Sequence, residues 1–180
     1  SSVASPEADW ARYLRIVDQV RYYGLPLPYP PLPGWETGSS AGDPLDEWRH
    51  GLENDKPRRA IGLYVHIPFC PSRCRFCFLQ VKAAPDASAV MGLLDCLEAE
   101  TRLMAPLFEG RRLSHAYIGG GTPTLLDAKS LRRLLGMIRE HFCLEDGAQI
   151  SIEANPDTLD QAKLGVLAQA GVNWLILGVQ

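Results

Sequence analysis

The stretch LYVHIPFCPSRCRFC, residues 63–77, decides how the rest of the chain is read. Ile61 to Ile67 is a short apolar run closed by Pro68, which predicts a buried strand. Directly after it, Cys70, Cys74 and Cys77 crowd into eight positions of a loop that also holds Pro68 and Pro71. A loop of this kind can wrap three thiolates around one centre. Zinc takes four ligands in a structural site, and His66 is the nearby candidate for the fourth, although it falls within the strand and before Pro68. Three thiolates suit an iron–sulfur cluster with one iron left open. A structural zinc, or cysteines spaced by chance or for a regulatory disulfide, stand as alternatives on the residues alone.

Downstream, the pattern alternates between strand and helix. A helix is predicted over 86–105, capped by Asp86, with Val90, Leu93, Leu94, Leu97 and Met104 as its apolar face. Ala116 to Ile118 follows as a strand, and Asp127 can cap a second helix in which Leu131, Leu134, Leu135 and Ile138 recur up to about Phe142. Gln149 to Glu153 reads as a third strand. Thr158 with Gln161 has the capping-box pattern for a third helix, which Gly171 can close. Asn173 to Val179 is the fourth strand. Four strands joined by three helices imply a parallel α/β sheet with right-handed crossovers, either doubly wound or part of a barrel. Periodicity does not choose between the two. A (βα) barrel has more strands than four, so a barrel reading makes this a partial one with an uncovered edge strand.

Upstream, Trp10, Leu14, Val17 and Val20 recur at helical spacing within residues 6–23, and Gly24 ends the pattern. LPLPYPPLPG, residues 25–34, is expected to be extended, an arm or linker. Residues 35–60 read as loop with a short helix around Pro44 to Leu52. The expected division is therefore 1–60, an amino-terminal helix and Pro-rich arm or linker, and 61–180, the barrel domain.

Eighteen Lys and Arg against 21 Asp and Glu give a net charge of −3, which offers no general attraction to nucleic acid or an anionic membrane. A small-molecule or protein partner is expected instead. No apolar run approaches the roughly 20 residues that span a bilayer. The opening SSVASPEADW also lacks a secretory pattern, so the expected location is the cytoplasm. Of the five cysteines, Cys96 and Cys143 stand alone, on or at the end of predicted helices, where ordinary burial in the core is expected. An odd count with three clustered fits a disulfide framework poorly. His115 and His141 receive no role.

The cysteine stretch, together with Tyr117-Ile-Gly-Gly-Gly-Thr-Pro-Thr124, Ile152-Glu-Ala-Asn-Pro156 and Gly178-Val-Gln180, resembles the radical S-adenosylmethionine (SAM) enzymes, in particular the oxygen-independent coproporphyrinogen III oxidase-like family. The resemblance covers Leu63 to Gln180. It implies a partial TIM-like radical SAM barrel in which Cys70, Cys74 and Cys77 bind a [4Fe-4S] cluster and SAM occupies the open iron. One electron then cleaves SAM to methionine and a 5′-deoxyadenosyl radical. It further implies SAM contacts at Tyr64, Phe76, Gly120, Gly121, Thr122, Glu153 and Gln180, and an electron donor such as flavodoxin or ferredoxin. All four motifs fall at the carboxyl ends of predicted strands, where α/β folds place their sites. After the third cysteine this chain has Phe78 and Leu79, where the coproporphyrinogen oxidases proper carry Gly and a further cysteine. The same motifs belong to relatives that bind or transfer heme, open its ring, or methylate aromatic substrates. The implied function is radical SAM chemistry on a tetrapyrrole or aromatic small molecule. The alternatives are a heme-delivery protein and a SAM-dependent radical methyltransferase. The 180-residue chain by itself is expected to turn over no substrate.

Overall fold

Ile61–Ile67 forms β1, with Val65 and Ile67 buried on one face and Tyr64 and His66 on the other. The computed structural model describes residues 44–54, 60–77 and 79–179. The helix expected over 6–23, the Pro-rich stretch and Gln180 lie outside the described residues. A helix α1, Pro44–Glu53, matches the short helix expected there. From Trp48 onward the chain forms one compact unit.

After β1 come the two-residue strands β2 (Phe69–Cys70) and β3 (Lys82–Ala83), then α2 (Ala87–Met104), β4 (Arg112–Gly120), α3 (Ala128–His141), β5 (Cys143–Ala154), α4 (Gln161–Gln169) and β6 (Trp174–Leu177). The main sheet is parallel with the order β1-β4-β5-β6. Strand order follows sequence order, whereas a doubly wound sheet reverses it at a switch point. The helices likewise bury one shared face of the sheet. Val65, Ile67, Ala116, Ile118, Ile150 and Ile152 meet Leu94, Leu131, Leu134, Leu135, Ile138, Val166 and Leu167 in a single core. Successive strands side by side with their helices on one face are the wall of a barrel. This settles what periodicity left open.

The opposite face carries the other register. Tyr64, Tyr117, Ser151 and Trp174 are aligned across the four strands, and Glu153 is paired with Ile176 one step further along. β1 and β6 are the edges of the sheet, and β6 exposes Trp174, Leu175 and Leu177.

β4 and β5 are longer than the apolar pattern indicates. Arg112 and His115 in β4 and Cys143, Glu145, Asp146 and Gly147 in β5 are exposed, and these amino-terminal parts stay extended through pairing across a register shift between Leu113 and His115. There the Arg112 guanidinium donates to Leu144 O and to Asp146 Oδ1. Cross-strand pairing of this kind leaves no trace in hydrophobic alternation.

Asp86 and Asp127 cap α2 and α3 as expected. For the third helix the expectation is corrected: Asp160, not Thr158, is the cap, accepting from Lys163 N at 2.8 Å. Pro156 starts a 3-10 turn through Thr158, and Leu159 and Asp160 are extended, so the helix begins only at Gln161. Gly171, at φ 73°, closes the helix as expected, donating its N–H to Ala168 O.

Cys96 and Cys143 are also corrected. Both are exposed. Cys96 lies on the solvent side of α2, a helix whose only fully buried residue is Leu94, and Cys143 opens β5 on its exposed end.

At the Asp127 cap, hydrogen bonds from Ser130, the backbone N–H foremost, hold the carboxyl below the usual carboxylate range. Asp127→Ala is expected to cost about 1 kcal/mol. Because the folded pKa is depressed, this stabilisation is complete above the unfolded value near ~3.9 and is lost as pH falls through the folded one. Melting curves of wild type and variant, well separated at neutral pH, should converge in acid.

Candidate cofactor site at the carboxyl ends of the strands

The cysteine stretch is less free than a loop of that composition suggests. Residues 67–70 run between two partners. On one side, Lys82 N donates to Pro68 O at 2.7 Å and Ala84 N to Cys70 O at 2.9 Å. On the other, Gly121 N donates to Ile67 O at 2.8 Å and Thr122 N to Phe69 O at 2.7 Å. Cys70 is therefore fixed by backbone pairing before any ligand arrives. Cys74 and Cys77 lie on the following turn, closed by Cys77 N to Cys74 O at 3.1 Å, with the Cys77 thiol directed at Leu79 O.

The three cysteines line one cleft of about 520 Å³ together with Phe76, Gly120, Gly121 and Thr122. Seven of the residues singled out from the sequence thus share one space. Their thiols line this cleft without meeting at a point: among the described residues no three His, Cys, Asp or Glu side chains are gathered closely enough to hold a metal ion. Cys70 is partly buried, Cys74 exposed and Cys77 partly buried. The donor set still fits a cluster, because one thiol is anchored and the other two sit on an exposed turn that can close on it.

The glycine triplet divides its work. A Cβ on Gly121 would stand 2.4 Å from Phe69 O and 2.9 Å from Cys70 Sγ, so only hydrogen fits between this turn and the cysteine strand. Gly120, at φ 115°, turns its N–H toward Glu153 Oε2 at 2.9 Å. Glu153 also accepts from the Tyr117 hydroxyl at 2.5 Å. That hydroxyl is raised to about 12, first by burial and then by the carboxylate it faces. Glu153 thereby adjoins the cleft through Gly120. Tyr64 stands apart from the cysteines: it is largely exposed, lies 5.8 Å from the Tyr117 ring between centroids, and bonds to His66 Nδ1 at 2.9 Å.

Thr122 and Thr124 are buried polar residues, and each has partners. Thr122 Oγ1 reaches Cys70 Sγ at 3.6 Å and receives Asn155 Nδ2 at 3.4 Å. Thr124 Oγ1 meets Thr158 Oγ1 at 2.6 Å, and Lys163 Nζ donates to the carbonyls of both Thr124 and Thr158, at 2.8 and 2.9 Å. One ammonium therefore ties the turn after β4 to the turn after β5. Lys163→Met, which keeps the stem and removes these donors, is expected to lower stability by about 1.5 kcal/mol, read by denaturant unfolding. The Lys163 clamp, and the Asn155, Pro156, Asp157 and Gly178 lining of the cleft, escaped the sequence reading. Asn155, Pro156 and Gly178 belong to the motifs at 152–156 and 178–180, while Asp157 and Lys163 carry no signal in the sequence.

Against proteins of known kind, residues 64–180 match the family model described as the radical SAM superfamily. Oxygen-independent coproporphyrinogen III oxidase of Salmonella typhimurium is 41% identical over 124 residues, covering 69% of this chain and 27% of that protein. The heme chaperone HemW of Mycobacterium tuberculosis is 35% identical over 126 residues, covering 69% of this chain and 32% of HemW. The solved structure of coproporphyrinogen III oxidase (HemN) from Escherichia coli, described as a radical SAM enzyme, superposes with a TM-score of 0.73 at 34% identity, covering 91% of this chain and 36% of HemN. The chain thus spans about a third or less of the length of these relatives. With the cysteine turn, the glycine turn and the Glu153 strand converging in one barrel wall, and that wall shared with a solved relative, the chain belongs to the radical SAM superfamily, in the group that includes coproporphyrinogen III oxidase and HemW.

Proposed function

We propose that this chain carries the cluster- and SAM-binding site of a radical SAM enzyme acting on a tetrapyrrole or another aromatic small molecule. The observation that carries the proposal is the shared cleft: the three cysteines and the glycine turn line the same space, at the carboxyl ends of adjacent strands. Cys70, Cys74 and Cys77 would hold a [4Fe-4S] cluster, and Gly120, Gly121 and Thr122 offer a backbone surface that SAM can approach closely. Phe76, 71% exposed at the cleft, would cover the cluster or the adenine. Gln180 is included on its motif. When bound, the cluster supplies the electron that splits SAM into methionine and a 5′-deoxyadenosyl radical. A small redox protein of the flavodoxin or ferredoxin kind would deliver that electron. Glu153 presents a carboxylate beside the cleft as a hydrogen-bond acceptor. The tetrapyrrole class follows from the relatives' names.

The test is anaerobic reconstitution with iron and sulfide, reduction with dithionite, and EPR spectra before and after SAM. A reduced [4Fe-4S] signal that shifts on SAM addition supports the proposal. A cluster indifferent to SAM, or zinc in place of iron, overturns it. HemW among the relatives favours a second reading, heme delivery. A stable stoichiometric heme complex in an optical titration, without SAM cleavage by the full-length protein, would favour that reading over the first.

A further inference from the structure

Tyr117 is used by none of the assignments above, yet it makes one of the shortest side-chain contacts beside the cleft. Its ring stands on the face of β4 opposite the helices, level with Tyr64 on β1 and Ser151 on β5. From there its hydroxyl crosses to the neighbouring strand and donates to Glu153 Oε1 at 2.5 Å, while Gly120 N donates to Oε2 at 2.9 Å. Each carboxylate oxygen is thus held by one donor, and the plane of the carboxylate is fixed. An ionised carboxylate has about four acceptor positions, so one on each oxygen stays free for a ligand.

The first glycine of the triplet fits this arrangement. A Cβ at Gly119 would lie 2.5 Å from Tyr117 Cε1 and 3.1 Å from the Glu153 carboxyl. A side chain there would drive the ring and the carboxylate apart. The Tyr64 ring lies beside the Tyr117 ring, 5.8 Å between centroids, and its own hydroxyl is engaged by His66. The Tyr117 hydroxyl, raised to about 12, remains a proton donor throughout the neutral range.

We infer that Tyr117 is a positioning residue: it orients the Glu153 carboxylate so that its free acceptor positions meet the hydrogen-bond donors of bound SAM. The inference rests on the proposed function and concerns a residue that the function does not otherwise require. It makes Gly119 part of the same device, as the residue whose missing side chain lets Tyr117 reach Glu153.

The experiment is a double-mutant cycle on the reconstituted chain, with SAM affinity read by titrating the EPR shift and by equilibrium dialysis of labelled SAM. Tyr117→Phe, which removes only the hydroxyl, should weaken SAM binding about tenfold, the size expected for one hydrogen bond to a charged group. Glu153→Gln should weaken it at least as much. The double variant should bind no more weakly than Glu153→Gln alone, because Tyr117 acts only through the carboxylate. Gly119→Ala, whose Cβ would meet both the Tyr117 ring and the Glu153 carboxyl, should weaken SAM binding at least as much as Tyr117→Phe. Cluster content should be unchanged in all four. Wild-type affinity in Tyr117→Phe, or losses that multiply in the double variant, overturn this inference and leave the SAM site standing. A wild-type chain that takes up the cluster but no SAM overturns both.

Discussion

Alanine at position 70 is expected to leave the anaerobically reconstituted chain without any [4Fe-4S] EPR signal, while alanine at 96 or 143 leaves the signal at full strength. The contrast follows from where the thiols stand. Cys70 is the anchored member of the set: its strand is bonded on one side to β3 and on the other to the glycine turn, and its Sγ receives Thr122 Oγ1. Cys74 and Cys77 lie on an exposed turn that has to close toward it. Without the anchor, two thiolates remain on that turn, too few to hold a cluster that takes three protein ligands and leaves one iron open. Cys96 and Cys143 are equally free thiols, exposed and on other elements, so they control for nonspecific assembly. Iron and sulfide analysis checks the same point without spectroscopy. A Cys70→Ala chain that retains cluster iron would show that other groups complete the ligand set, and would remove the basis for the proposed site.

The residues of this site are legible in the sequence because each stands at the end of a locally patterned strand. The three cysteines follow an apolar run closed by proline, so their place at the end of a strand is fixed by local pattern. The glycine turn and Glu153 end β4 and β5 for the same reason, and a parallel sheet with strands in sequence order brings such ends together. What stayed hidden depends on partners far along the chain. Cys70 belongs to a strand only because Lys82 and Ala83 pair with it, and a two-residue strand has no period to detect. Thr158 has the residue type of a cap, but Pro156 turns it toward Thr124, and Asp160 takes the role. Tyr117 and Glu153 are 36 residues apart, joined across strands whose register no local rule supplies. Cys96 was expected in the core because cysteine is commonly buried, yet its helix turns that position to solvent. The sequence-level pattern thus located the ends of strands well and the cross-strand contacts there poorly.

Two glycine-to-alanine substitutions separate these levels, because the added methyl group is the same in both and the expected signs are opposite. Gly136 lies on the exposed side of α3 with nothing within 4 Å of an added Cβ. Alanine there should stabilise the chain by about 0.5–1 kcal/mol, through helix propensity and reduced freedom of the unfolded chain. Gly121 is the opposite case. Its Cβ would meet a backbone oxygen, Phe69 O, at 2.4 Å, and that backbone is held on its far side by β3. A flexible side chain would yield, whereas two paired strands must separate. The expected cost is about 1–3 kcal/mol, which lowers the melting temperature by roughly 2–4 °C per kcal/mol in a chain of this size. The functional loss should exceed the loss of stability. The strand that has to move carries Cys70, and the Thr122 N–H that holds Phe69 O would be the first bond broken. Gly121→Ala should therefore assemble markedly less cluster than Gly136→Ala at temperatures where both are fully folded. Equal cluster content in the two folded variants would show that the close approach of the glycine turn to Phe69 and Cys70 is a packing feature with no part in building the site.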